Sequence, residues 1–135
     1  MNRSFLYNPN YIRRDQLLDI DSQFWDDEAN DDDIVEVEIV LEVLEKLFAE
    51  KFIDPQSRQN FSPTAQEFLE FMRKYPTVIA HGYALSPYHD DYQLSIEGLM
   101  VDPEDVTPGL RYDFQQLCHT ADVLELGKEL YSWWD

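Results

Sequence analysis

The chain has 135 residues, of which 44% are hydrophobic and 14% aromatic, and its formal net charge at pH 7 is −18. Size and composition predict one acidic globular domain over residues 1–135 and exclude a disordered acidic tail. A charge of this sign repels phosphate groups, so we expect no direct binding of nucleic acid and no binding to a membrane.

The negative charge is concentrated in one part of the sequence. Residues 15–50 contain 14 acidic residues and one lysine, whereas residues 51–76 contain four basic and three acidic residues. An anionic surface attracts cationic surfaces and speeds encounters with them, although it also improves solubility without any partner. The distribution therefore favours a basic protein as the binding partner.

Two features of the sequence predict a cytoplasmic location. Cys118 is the only cysteine, so no internal disulfide can form, which suits a reducing compartment. No apolar stretch is long enough for a signal peptide or for a membrane span.

The N-terminal part of the chain predicts an extended segment followed by two helices. The segment "SFLY" is typical of a short strand or an extended arm, and apolar residues at helical spacing then predict a helix over about 11–25. The acidic run after it suits the positive end of a second helix, predicted over about 33–52. Its first residues, "VEVEI", alternate as in a strand, but the pattern over twenty residues favours the helix.

The rest of the chain predicts two more helices around a β-hairpin. A helix over about 63–74 begins at Ser62-Pro63, and two β-rich runs, about 77–85 and 92–101, flank the polar connection "SPYHDD". Helical spacing returns over about 109–125. A short last turn then carries the tryptophans of "YSWWD", which are expected to pack on the core rather than to anchor an interface.

These elements predict an α+β fold. It is a helix-rich single domain with a small antiparallel sheet built on the central hairpin, packed by the four helices. The N-terminal arm could add a third strand to that sheet.

The predicted partner-binding residues are acidic side chains together with the tyrosines of the hairpin loop. Glutamates three and four apart on the predicted helix form an acidic stripe, and tyrosine beside carboxylate suits the capture of lysine and arginine. The complete set is Asp26, Asp27, Glu28, Asp31, Asp32, Glu38, Glu42, Glu45, Tyr88, Asp90, Asp91 and Tyr92.

An alternative site consists of two histidines and the carboxylates next to the second one. His81, His89 and Asp90 or Asp91 could form the metal triad or the acid–base pair of a small metal-dependent hydrolase. Against this, "HDD" is ordinary turn composition, and the acidic run lacks the central glycine of an EF-hand loop. We therefore predict no catalytic residue, no metal site and no cofactor.

The function favoured by these features is that of a non-enzymatic acidic binding protein that docks on a basic protein surface. In size, charge and lack of a catalytic motif the chain resembles bacterial immunity proteins, small acidic proteins that neutralise basic toxins such as nucleases. No diagnostic motif carries this resemblance. A regulatory adaptor, a nucleic-acid mimic and the small hydrolase remain alternatives, and the oligomeric state is not predicted.

Overall fold

A computed structural model describes residues 5–25 and 33–135 of the chain. The described residues form four α-helices and one five-stranded sheet, which confirms the predicted α+β class. The helices are α1 (Tyr11–Leu18), α2 (Leu41–Ala49), α3 (Ala65–Lys74) and α4 (Pro108–Leu117). The strands are β1 (Ile34–Ile39), β2 (Ile79–Leu85), β3 (Leu94–Val101), β4 (Val123–Leu126) and β5 (Leu130–Trp133).

The sheet is antiparallel throughout, with strand order β1-β2-β3-β5-β4. The predicted hairpin is confirmed: β2 and β3 form it, and it lies at the centre of the sheet. β1 and β4 form the two edges of the sheet. One edge strand therefore comes from the N-terminal half of the chain and the other from its C-terminal end. The described N-terminal residues 5–10 contain no strand, so the suggested third strand from the arm is wrong, and β1 pairs with the hairpin instead.

All four helices pack against one face of the sheet. The core combines inward-facing strand residues such as Ile39, Ala80 and Leu99 with helix residues such as Leu47, from α2, and Phe68, from α3. Because side chains alternate along a strand, the intervening residues project from the opposite face. No described helix contributes to that second face, which is called the open face below.

The predicted helix over 33–52 is wrong in its first third. Residues 34–39 form β1, in which Val37 and Ile39 enter the core while Glu36 and Glu38 point to solvent. The alternation "VEVEI" was therefore the correct signal. Helical spacing dominated the prediction because α2 begins at Leu41, directly after the strand, and its apolar stripe is strong.

The predicted helix over 109–125 is also too long. α4 ends at Leu117, and the following residues form the β4–β5 hairpin instead of a last helical turn. Gly127 lies in the connection between the two strands. The hairpin sends Trp134 into the core against Phe68, at 5.6 Å between ring centroids, and this confirms the expected core packing for that tryptophan.

Helices α1 and α3 are close to their predictions, although α1 is shorter. It ends at Leu18, and Ser22–Phe24 continue as a 3-10 turn within the predicted range 11–25. α3 begins after Thr64, whose side chain and that of Glu67 form a capping box. The prediction placed its start at Ser62-Pro63, two residues earlier.

A buried ion pair fixes α1 to the hairpin. Arg14 and Asp15 are both at most 1% exposed, and Arg14 also donates a 2.9 Å hydrogen bond to the Leu85 carbonyl. The indole of Trp25 donates a 2.7 Å hydrogen bond to Asp15, and the ring of Tyr92 lies against the Arg14 guanidinium. The pair is therefore charge-balanced, and hydrogen bonds hold both side chains, as a buried pair requires. Among the described residues, only Arg14 Nη2 is a buried side-chain nitrogen or oxygen without a hydrogen-bond partner.

Candidate functional site: an acidic groove on the open face of the sheet

The predicted acidic stripe does not exist as a single surface. Asp26, Asp27, Glu28, Asp31 and Asp32 lie outside the described residues. Glu38 lies on the open face of β1, whereas Glu42 and Glu45 lie on α2, in the helical layer. The prediction joined them because it extended the helix through the strand.

The two glutamates on α2 are already paired with cations of the same chain. Arg73 binds Glu45 through two hydrogen bonds of 2.9 and 2.6 Å, and this contact lowers the pKa of the Glu45 carboxyl. Lys46 lies 3.7 Å from the Glu42 carboxylate, one helical turn away. A basic partner would have to displace these pairs, so this part of the predicted site is weakened.

The hairpin-loop residues lie together, at the end of the β2–β3 hairpin. Tyr88 and Tyr92 line a groove of about 240 Å³ with Tyr11 and two prolines. The Tyr92 hydroxyl donates to the Asn8 carbonyl at 2.8 Å, so its polar end is engaged within the chain. Asp90 and Asp91 are exposed, and they lie between Tyr88 and Tyr92 in the sequence.

A cleft with a volume of about 560 Å³ lies on the open face. We call it the acidic groove and define it by Glu36, Glu38, His81, Glu97, Tyr131 and Trp133. It crosses the sheet from β1 through β2 and β3 to β5. No lysine or arginine lines it among the described residues.

A β-bulge directs Glu97 into the groove. His81 pairs with Gly98 and Gly82 pairs with Ile96, so β3 contains one extra residue, Glu97, at this point. Ile96 and Leu99 are both buried although they are three residues apart, and therefore Glu97 and Gly98 both fall on the open side. The bulge also places Met100 on the groove side, whereas strict alternation from Ile96 would place it in the core.

The Glu97 carboxyl is partly withdrawn from water. Its pKa is raised, chiefly by burial, while a hydrogen bond from the Trp133 side chain and the nearby His81 act in the opposite direction. Glu36 and Asp135 add repulsion that raises the pKa further. A carboxylate in this environment is stabilised by any cation that enters the groove.

His81 is held in place at the floor of the groove. Its imidazole stacks on Tyr131, with centroids 5.0 Å apart and 6° between planes, and its Nε2 lies 2.7 Å from the Ser132 carbonyl. A carbonyl can only accept, so Nε2 carries the proton and donates this bond. Gly98 permits the contact, because a Cβ there would lie 1.9 Å from the Ser132 oxygen and 2.6 Å from Nε2.

Carboxylates from three strands act on the Tyr131 phenol. Its pKa is raised first by burial and then by the negative charges of Glu97, Glu125 and Glu36. Glu125 lies directly opposite Tyr131 across the β4–β5 pairing. Carboxylates from β1, β3 and β4 therefore all contribute negative potential at Tyr131.

The residues of the predicted hydrolase site are not brought together. His81 lies in the middle of β2, and the end of that strand, Leu85, is about 13 Å further along the sheet at the usual rise per residue. His89 follows beyond it, in the loop, where its Nδ1 accepts a hydrogen bond from the Asp91 N–H at 2.8 Å. One of the two His81 ring nitrogens is engaged by the Ser132 carbonyl.

Among the described residues, one group of three carboxylates is close enough to share a cation. Oxygens of Asp102, Glu104 and Asp105 lie within 4.8 Å of one another. Exposed acidic side chains often meet in this way without binding an ion, and no described histidine or cysteine joins the group. The expectation of no metal site remains untested.

Sequence reasoning missed most of the acidic groove. Glu36, Glu97, Tyr131 and Trp133 were not selected, and only Glu38 of the predicted partner-binding set lies in it. The alternation of glutamate with valine and isoleucine in β1 could have identified Glu36. The bulge at Glu97 and the β4–β5 hairpin leave no comparable signal in the sequence.

Comparison of the chain with protein-family models, with curated proteins and with solved structures gave no match. Within residues 5–25 and 33–135, no helix combines the length and the apolar character needed to cross a membrane.

Proposed function

We propose that this protein is a non-enzymatic binding protein that docks on a basic protein surface through the acidic groove. The observation that carries the proposal is the concentration of Glu36, Glu38 and Glu97 on one open, concave sheet face without a cation of the described chain beside them. A partner that supplies lysine or arginine would complement this charge.

The distribution of ion pairs supports this assignment. All five ion pairs among the described residues lie away from the groove, and they occupy Arg13, Arg14, Lys46, Arg73 and Lys74. Arg111 is also engaged, because it donates to the carbonyls of Leu126 and Gly127. These six cations are therefore engaged away from the groove, and no described lysine or arginine lines it.

A basic toxin is the partner class that fits best within this proposal. Nucleases need a positive surface to bind nucleic acid, and an acidic groove is complementary to such a surface. The protein would then inhibit the toxin by occupying its substrate-binding side chains. A regulatory adaptor would use the same surface, and the same experiments apply to it.

The test compares two double variants with the same change in net charge. Glu36→Gln/Glu38→Gln removes two charges from the groove, and Glu42→Gln/Glu70→Gln removes two from the helical layer. Each protein is used as bait at low salt, retained basic proteins are purified, and their affinities are measured at several ionic strengths. If the partner is a nuclease, inhibition of nucleic-acid cleavage provides a second readout.

We expect the groove variant to weaken binding by about 2- to 30-fold, since each exposed pair contributes roughly 0.2–1 kcal/mol. Its affinity should also depend less steeply on salt than that of the wild type. The control variant should bind almost as tightly as the wild type. Equal losses in both variants would show that only net charge matters, and no loss in either would refute docking through the groove.

The cytoplasmic location belongs to the same proposal. Cys118 is a buried free thiol, and burial raises its pKa to about 12. Such a thiol needs no partner and is consistent with a reducing compartment. Cell fractionation with a tagged chain tests this location, and recovery outside the cytoplasm would contradict it.

A further inference from the structure

The groove presents flat aromatic surface as well as carboxylates. His81 and Tyr131 are stacked almost parallel, and Trp133 continues the aromatic lining along β5. Glu38 is paired in register with His81, so its side chain starts about 5 Å from the imidazole-bearing residue. Charge and aromatic surface are therefore adjacent, not separate patches.

The carboxylate of Glu97 lines the same groove as this aromatic surface. Burial withdraws it in part from water. An ionised carboxylate has about four acceptor sites on its two oxygens. It can therefore accept two parallel hydrogen bonds from a planar donor that enters the groove.

Arginine and lysine differ in how well they match these features. A guanidinium is planar, stacks on aromatic rings, binds a carboxylate through two parallel hydrogen bonds and is weakly hydrated. A lysine ammonium is a compact and strongly hydrated charge, which gains less from a stacked ring pair and from a partly desolvated carboxylate.

We propose that the acidic groove selects arginine over lysine, seating one guanidinium of the partner on the His81–Tyr131 stack with Glu97 as its carboxylate. This inference rests on the proposed function and names the side chain by which a basic partner is recognised. Glu36 and Glu38 attract the cation electrostatically, whereas Glu97 and Tyr131 provide the preference for a planar group.

The test uses two blocked tripeptides as probes, acetyl-Gly-Arg-Gly-amide and acetyl-Gly-Lys-Gly-amide, titrated into the ¹⁵N-labelled full chain. The indole N–H of Trp133 reports directly on the groove, because this side chain lines it. The indoles of Trp25 and Trp134 are internal controls, since they bond to Asp15 and Thr120 elsewhere in the fold. Saturable shifts of the Trp133 signal give the affinity of each peptide.

We expect the arginine peptide to bind about two- to fivefold more tightly than the lysine peptide, the size of one exposed cation–π contact. Tyr131→Leu should reduce this ratio to about one, and Tyr131→Phe should restore it because the ring remains. Glu97→Gln should weaken the arginine peptide more than the lysine peptide. Glu70→Gln, on α3, should change neither affinity.

The outcomes separate this inference from the proposed function. Equal affinities with a moving Trp133 signal would overturn the arginine preference while leaving docking of basic proteins intact. If Trp133 stays unmoved while Trp25 or Trp134 shifts, the peptides bind elsewhere and the inference fails. If the arginine preference is found but the groove double variant still binds its protein partner normally, the inference holds and the proposed docking surface is wrong.

Discussion

Replacing Gly98 with alanine tests the architecture of the groove floor. Gly98 lies where β3 passes under the contact between His81 and the Ser132 carbonyl on β5. A Cβ at this position would lie 1.9 Å from the Ser132 oxygen, against about 3.3 Å for an ordinary close carbon–oxygen approach. β5 or the β3 backbone would therefore have to move by about 1.4 Å.

The expected loss of stability is about 2–4 kcal/mol. Overpacking in a fixed environment costs about 1–3 kcal/mol. Movement of β5 would also break the 2.7 Å hydrogen bond from His81, which contributes roughly 0.5–1.5 kcal/mol. The imidazole–Tyr131 stack and the Trp134-to-Glu97 backbone bond depend on the same strand position and would add to the loss.

The matched control is Gly109→Ala on α4. Apart from its chain neighbours and the backbone of its own helix, no atom lies within 4 Å of a Cβ built at Gly109, so alanine there should cost nothing. Urea unfolding followed by tryptophan fluorescence should therefore separate the two variants by about 2 kcal/mol or more. Equal stabilities would refute the close approach of the strands and, with it, the fixed position of His81.

Three further predictions concern charge and burial. Glu97→Gln should raise the free energy of unfolding at pH 7, because burial raises the Glu97 pKa and the ionised form disfavours the fold. The difference from the wild type should shrink as pH falls through that pKa; a constant difference would contradict the cause. Cys118 should resist a thiol reagent at pH 8 in the folded protein and react after unfolding, because burial raises its pKa to about 12. Rapid labelling of Cys118 in the folded protein would contradict its burial. Asp15→Asn should cost about 3–5 kcal/mol in urea unfolding by leaving the buried Arg14 unpaired. Glu50→Gln, at an exposed pair, should cost much less; similar costs would refute the buried pair.

The sequence predicts those parts of the fold that depend on local pattern. The central hairpin and α3 follow from alternation, from turn residues and from a helix-capping sequence, and all of these act within a few residues. The boundary at Val40 is harder, because a strand and a helix follow one another without a turn residue between them. On a helix drawn through residues 33–52, Val35, Glu36 and Ile39 fall on the wrong faces, and in the structure they belong to the strand.

The acidic groove depends on information that is not local. Glu36 and Tyr131 come from strands at opposite ends of the chain, and the order β1-β2-β3-β5-β4 alone brings them to one face. The bulge at Glu97 changes the face of every later residue in β3, so strict alternation misplaces Met100. Pairs such as Arg73 with Glu45, 28 residues apart, also determine which glutamates remain uncompensated.

The location of the charge is more informative than its total. A surface selected only for solubility would combine both signs, as α2 does where Lys46 and Arg73 pair with its glutamates. The open face instead carries two exposed glutamates on a single strand, about 7 Å apart, and a third that is partly buried. Their mutual repulsion is about 0.6 kcal/mol per pair in water and less in salt, and it disfavours the fold. This repulsion gives no benefit to the isolated chain. Such an arrangement is expected where a cationic partner stabilises the charges.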